Sequence, residues 1–309
     1  MGIKVITSVV TRNRPGMLDK ALTLLSNQSL PPPEILVVDN DSLPETRNLV
    51  RGWQERNPAV SYLNTRRNAG SGGGQKEAMC YAVEHGYDLV YTMDDDCEPQ
   101  ADALKSIVAA WDRLENRENW ALNSLVLDVA CPERMSFGLW DGMEMGVTKG
   151  KVFYSRLSEV PSQRIQHGLY VGYGCFFNGT LIPTALIRAA GLPREELFIR
   201  GDEGEYFYRI LSHGKVATVL DSIVLHPSQS VADSWMALWK TYYATRNSVL
   251  LDRQYFPSIK TSTLYLLARV AWCWTLAQCG NLPSVNRTMA LAVMDALRGK
   301  FDRDASSLK

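Results

Sequence analysis

The chain has 309 residues, long enough for one large α/β domain or for a domain with a sizeable C-terminal extension, and its 46% hydrophobic and 21% charged residues are those of an ordinary globular protein. Its 33 basic and 33 acidic residues cancel, so no bulk positive field advertises nucleic acid, and no nucleic-acid partner is expected. The six cysteines form no CxxC pair and no zinc-type spacing with the four histidines, which fits a reduced, cytoplasmic compartment.

The opening residues, "MGIKVITSVVTRNRP", lack the charged n-region and cleavage site of a signal peptide; "IKVITSVV" instead reads as a buried parallel strand. Pro15 then opens a helix to about Gln28, with Met17, Leu18, Ala21, Leu22, Leu24 and Leu25 on its apolar face. "EILVVDN" (34–40) is a second buried strand, followed by a helix over about 44–57 and a third strand at 61–65. The run "RRNAGSGGG" reads as a glycine-rich loop before a helix over about 75–85. "YDLVYTMDD" (87–95) is a further strand, and a helix covers about 101–116. This alternation predicts a doubly wound, mostly parallel sheet flanked by helices.

From residue 128 to 170 the pattern loosens into a long loop with short strands, including "FGLWDGMEMG". "GCFFNGTLI" and "PTALIRAAG" give a strand and a short helix ended by Gly191, and "GDEGEYFYRILSHG" a helix closed by Gly214. "KVATVL" and "SIVLHP" follow as two strands. From about residue 231 the chain is helical and rich in Trp and Tyr, so a sheet domain over 1–230 and a helical region over 231–309 are expected. The apolar run 264–279 contains Arg269 and is too short for a confident bilayer crossing. Core packing is one reading of this aromatic region. Peripheral attachment to the cytoplasmic face of an inner membrane, through Trp235, Trp239, Tyr242, Tyr243, Trp272 and Trp274 with their interleaved Lys and Arg, is the other.

Ligands of open α/β sheets bind at the carboxyl ends of strands, where Thr11-Arg12-Asn13, Asp39-Asn40-Asp41, the 66–74 loop and Asp94-Asp95-Asp96 all fall. The glycine loop fails as a dinucleotide fingerprint and as a Walker A loop. It still offers backbone N–H groups to an anion. Strand alternation puts Asp94 and Asp96 on one side, where they can share Mn²⁺ or Mg²⁺, and Asp95 on the other. His226 can complete that shell. The acids Asp202-Glu203 at a helix start either complement the dipole or supply a general base.

In this order, "VVTRNRP", "ILVVDNDS", "TMDDDCEP" and "GDEGEYFYR" resemble the family 2 inverting glycosyltransferases with the GT-A fold, over roughly residues 3–230. Within that family "RNAGSGGGQKEA" and the paired acids most resemble bacterial galactofuranosyltransferases, with rhamnosyltransferases close behind; "WKTYYATRN" resembles a segment after their catalytic domain. The resemblance implies a nucleotide-sugar donor site at Thr11, Arg12, Asn13, Asp39, Asn68, Gly70, Gly73, Asp94 and Asp95. It implies a metal at Asp94, Asp96 and His226. It makes Glu203 the base, although the family more often has aspartate there, so Asp202 stays open for that role. A glycan or lipid-linked glycan acceptor, such as O-antigen, is the implied partner. Trp140 and Tyr173 are candidate sugar-stacking residues. A nucleotidyltransferase and a non-catalytic sugar-binding module are the competing classes.

Overall fold

In the computed structural model, which describes residues 2–143, 152–227, 237–255, 271 and 282–303, strand β1 (Val5–Thr11) is buried along its whole length. An unbroken apolar, β-branched run demands cover on both faces, and helices supply it. Helix α1 (Pro15–Ser26) turns Leu18, Ala21, Leu22 and Leu25 into that cover. Strand β2 (Ile35–Asp39), helix α2 (Pro44–Arg56), strand β3 (Val60–Asn64), helix α3 (Gly70–Glu84) and strand β4 (Leu89–Asp94) continue the alternation. A two-residue strand β5 (Glu98–Pro99) and helix α4 (Ala103–Asp112) lead to β6 (Trp120–Asp128).

Strands β7 (Leu139–Asp141) and β8 (Val152–Tyr154) pair only with each other, and β9 (Ile165–Gln166) and β10 (Leu169–Val171) return to the main sheet. Then come β11 (Asn178–Pro183), α5 (Thr184–Ala190), α6 (Asp202–Leu211) and β12 (Lys215–His226). The sheet order is β3-β2-β1-β4-β11-β6-β12-β10-β9, with β5 on the flank of β12. β3, β2, β1 and β4 run parallel; β11 enters antiparallel between β4 and β6, and β12 lies parallel to β6.

Three expectations are corrected. The glycine run is not a loop: α3 begins at Gly70, five residues before the expected start. Glycine costs about 0.5–1 kcal/mol relative to alanine inside a helix, and close packing overrides that preference. A Cβ on Gly74 would strike the Val10 side chain and stand 3.0 Å from the Asn40 amide. "KVATVL" and "SIVLHP" are one strand, kinked by a register shift between Val219 and Ile223 that absorbs the polar Asp221-Ser222. Finally, β4 ends at Asp94, and Asp95 and Asp96 lie in the turn beyond it, so alternation does not set their directions.

After β12, helix Leu238–Tyr255 packs against helix Leu282–Arg298, which buries Val285, Met289, Ala292 and Ala296 at helical spacing. Tyr242 donates to Asp295 at 2.6 Å, and Arg303 pairs with the same carboxylate at 2.5 Å. Tyr242 and Tyr243 are thus buried in protein, whereas Trp235, Trp272, Trp274 and the run 264–279, Ala271 apart, lie outside the described residues. Among the described residues no helix is long and apolar enough to cross a membrane.

Candidate active site

Parallel pairing brings the strand ends into one row. Thr11 stands opposite Asp39, Asp39 opposite Asn64, Val10 opposite Asp94, and Asp128 opposite His226. The acids after β4 are therefore met by β1 on one side and by the end of β12 further along the sheet.

Asp95 is fully buried. Its carboxylate accepts the Thr11 hydroxyl at 2.6 Å and faces the Arg14 guanidinium at 2.5 Å. Burial pushes this carboxyl up, Arg14 and Thr11 oppose it, and the balance falls at about 6. Asp96 accepts from Arg14 at 2.8 Å and lies 3.3 Å from His226 Nε2. Burial again raises the carboxyl, but His226 and Arg14 outweigh it and hold Asp96 at about 2. Asp94 accepts from the buried Gln75 amide at 3.2 Å. Burial, then Asp96 and Asp95, push it well above the usual carboxylate range. Gln75 is itself fixed by Thr92, which accepts from Ser8 at 2.8 Å.

Asp39 is fully buried at the end of β2, with Tyr62 donating to one oxygen at 2.6 Å and the Ser42 N–H to the other at 2.8 Å. Arg12 and Asn13 are exposed; Asn13 is built into the turn, accepting from Leu43 N at 2.8 Å and taking φ of 55°. Asn68 is exposed and accepts the Gly70 N–H at 3.3 Å, while Gly73 is buried under Ala69. Trp140 packs on Phe153 in the β7–β8 pair, and Tyr173 rests on Phe207. Cys97 belongs to the core below the site.

The second acid pair opens α6. Asp202 is buried, packs against Gly72, and has no well-formed hydrogen bond on either oxygen, although Ser71 and Glu203 lie near. Burial, then Glu203 and Asp94, push its carboxyl well above the usual range. Helix α3 links the two acid clusters, since Gly72 packs against Asp202 and Gln75 donates to Asp94. Glu203 is half-buried, accepts the Gly201 N–H at 3.0 Å, and acts on Tyr173 and Cys175. The approach to α6 is strained: Phe198, Arg200 and Gly201 have φ of 68°, 63° and 104°. For the two non-glycine residues such conformations cost about 1–3 kcal/mol each.

Among the described residues, no three His, Cys, Asp or Glu side chains are gathered tightly enough to enclose a metal ion. The donor set nevertheless fits a divalent cation. Asp96 and His226 are in contact, and Asp94 carries a charge cost that a cation would relieve. Mg²⁺-type cations take only one or two carboxylates and fill the rest of their shell with water and phosphate oxygens. Sequence reasoning missed Arg14 and Gln75, which neutralise and pin the triplet. Arg14 sits one residue past the strand-end trio that was noticed, and Gln75 was hidden behind the glycines.

Comparison with known proteins identifies the family and the fold. Residues 8–117 match the model of "Glycosyl transferase family 2". A galactofuranosyltransferase GlfT1 of Mycobacterium tuberculosis is 35% identical over 230 residues, which is 73% of this chain and 71% of that protein. The GlfT1 of Mycolicibacterium smegmatis is 31% identical over 223 residues, 71% of this chain and 69% of that protein. Among solved structures, GalNAc-T7 with UDP, GalNAc and Mn²⁺ superposes with a TM-score of 0.58 at 15% identity, covering 84% of this chain but 54% of the larger one. Mannosyltransferase PcManGT of Pyrobaculum calidifontis with GDP-Man and Mn²⁺ gives 0.51 at 18% identity, covering 99% of this chain and 78% of that one. These neighbours share the GT-A fold. With galactofuranosyltransferases as relatives over most of its length, the chain belongs to glycosyl transferase family 2 and is a glycosyltransferase.

Proposed function

We propose that the chain transfers galactofuranose from UDP-galactofuranose to a hydroxyl of a bacterial cell-surface glycan, with inversion in a single displacement. The observation that carries this reading is that α3 touches both acid clusters, with Gly72 packed against Asp202 at the start of α6 and Gln75 donating to Asp94 at the end of β4 at 3.2 Å. On this reading the Asp94 corner holds the diphosphate and the α6 corner bears the base. The similarity to galactofuranosyltransferases supports the choice of sugar.

Asp94, Asp96 and His226 would hold Mn²⁺ or Mg²⁺, which when bound neutralises charge building on the leaving diphosphate. Asp39, at the end of β2, receives the uracil and ribose side, exchanging its bonds to Tyr62 and Ser42 for bonds to the ligand. Gln75 keeps the Asp94 carboxylate oriented. Glu203, half-buried on the Tyr173 side, takes the acceptor proton as its oxygen attacks the anomeric carbon from the face opposite the diphosphate. Asp202, deeper and packed against Gly72 of α3, lies on the donor side. The sheet domain ends near residue 230, and any peripheral membrane contact falls to parts of 231–309 other than the buried Tyr242, Tyr243 and Arg246.

A donor screen with and without EDTA tests the reading, using UDP-galactofuranose, UDP-galactopyranose and dTDP-rhamnose. EDTA-sensitive UDP release from UDP-galactofuranose in the presence of a glycan acceptor is expected. Release of dTDP instead would reassign the donor to rhamnose, and no nucleotide release from any donor would sink the transferase reading.

A further inference from the structure

We propose that Arg246 and Asn247, on the helix Leu238–Tyr255 beyond the sheet domain, are positioning residues that clamp the loop presenting Asp202 and Glu203. The inference rests on the assignment of that acid pair to proton transfer. Both side chains are fully buried, and Arg246 is the largest fully buried side chain described. The Asn247 amide donates to three carbonyls of one loop, those of Leu197 at 2.9 Å, Ile199 at 3.0 Å and Arg200 at 2.8 Å. Its own oxygen accepts from Arg246 Nε at 3.0 Å, and Arg246 Nη2 donates to the carbonyls of Glu196 at 2.8 Å and Leu197 at 3.1 Å. The guanidinium otherwise lies against the rings of Tyr243, Phe301 and Tyr242, 4.9 to 5.6 Å from their centroids.

Those carbonyls belong to the strained stretch. Phe198 has φ of 68° and ψ of −63°, and the Ile199 N–H closes a tight three-residue turn onto Leu197 at 2.8 Å. Backbone in such a conformation persists only where its surroundings over-determine it. Here the surroundings are the clamp on one side and α3 on the other, where Gly72 N donates to the Phe198 carbonyl at 3.2 Å and a Cβ on Gly70 would collide with it. The loop ends at Gly201, whose N–H binds Glu203 and on which a Cβ would stand 3.1 Å from Asn247 Cβ. A chain of contacts therefore runs from Asn247 through Arg200 and Gly201 to the Glu203 carboxylate. The catalytic unit extends to at least residue 247, well past the sheet.

Full-length Asn247→Ala and Arg246→Met test the clamp; the second keeps buried bulk while removing the donors to the 196–197 carbonyls and to Asn247, and protection of the sheet reports whether the variant has folded. Deuterium uptake over 197–204 is expected to rise several-fold in both while β1 and β4 stay protected. UDP affinity and donor KM should stay within about threefold as kcat falls at least about tenfold, and Arg246→Lys should retain most of kcat. Unchanged uptake over 197–204 in a folded variant would overturn the proposal. So would an unchanged kcat, or a loss of kcat matched by lost UDP affinity and lost sheet protection. A wild-type protein inactive on every donor would remove the proton-transfer reading instead, and the uptake contrast would still decide the clamp.

Discussion

Asp96, partly buried, and Asp202, fully buried, are carboxylates of one candidate site, yet their surroundings drive them apart. Asp96 sits between Arg14 and His226 and is held at about 2, so it is a stable negative charge. Asp202 has no well-formed partner and is pushed well above the ordinary range by burial, Glu203 and Asp94. Under the proposed function, the difference separates two tasks. A group that must attract a cation needs a secure charge, whereas a group near the reacting sugar can hold a proton until substrate changes its surroundings.

The largest effect that tests this division is expected at the base. Glu203→Gln should lower kcat by about 10²–10⁴-fold with UDP affinity nearly unchanged, read by steady-state kinetics and calorimetric titration. If Asp202→Asn costs more turnover than Glu203→Gln, the two acids exchange roles. Next, Asp96→Asn removes the secure charge. Turnover should drop at least about 10²-fold as several kcal/mol of charge stabilisation is lost, and added Mn²⁺ should no longer restore activity after EDTA.

Third, Gly74→Ala asks whether the helix that carries Gln75 can move away from β1. The new methyl meets Val10 and the Asn40 amide, so a loss of about 1–3 kcal/mol is expected in urea unfolding; no loss would show that α3 has room to shift.

The smallest effect is on stability against pH, and its two halves have opposite sign. Asp96 has a folded-state value below its ordinary 3.8, so its contribution is present above that value and is lost as pH falls towards 2. Asp202 has a raised folded-state value, so ionising it costs stability as pH climbs above 3.8. Asp202→Asn should therefore be more stable than wild type at pH 7, by about 1 kcal/mol, with the gain vanishing near pH 4. A destabilised Asp202→Asn at pH 7 would break the comparison.

Strands β1, β2 and β4 were legible because a strand covered on both faces must be a continuous apolar run, and their ends named the row of residues that the sheet brings together. The α3 boundary was not legible, since the glycines that argue locally for a loop are there to let α3 approach Val10 and Asp202. The polar "DS" of β12 looked like a break because nothing local shows Ser222 donating to the Ala103 carbonyl at 2.9 Å. Arg246 and Asn247 were hidden for the same reason. A polar pair amid aromatics reads as a wetted face, and its carbonyl partners lie about 50 residues upstream.

The insertion of β12 beside β6 also fixes an order of assembly. Arg14 precedes the aspartates in the chain, but His226 follows Asp96 by about 130 positions, so during synthesis at ~5–20 residues per second it arrives roughly 7–26 s later. Through that interval the nascent triplet has Arg14 as its counter-charge, which lets β1 and β4 pair without concentrating unneutralised acids at their tips. The Arg14-paired acids can thus fold early, while the contact of Asp96 with His226 waits for β12.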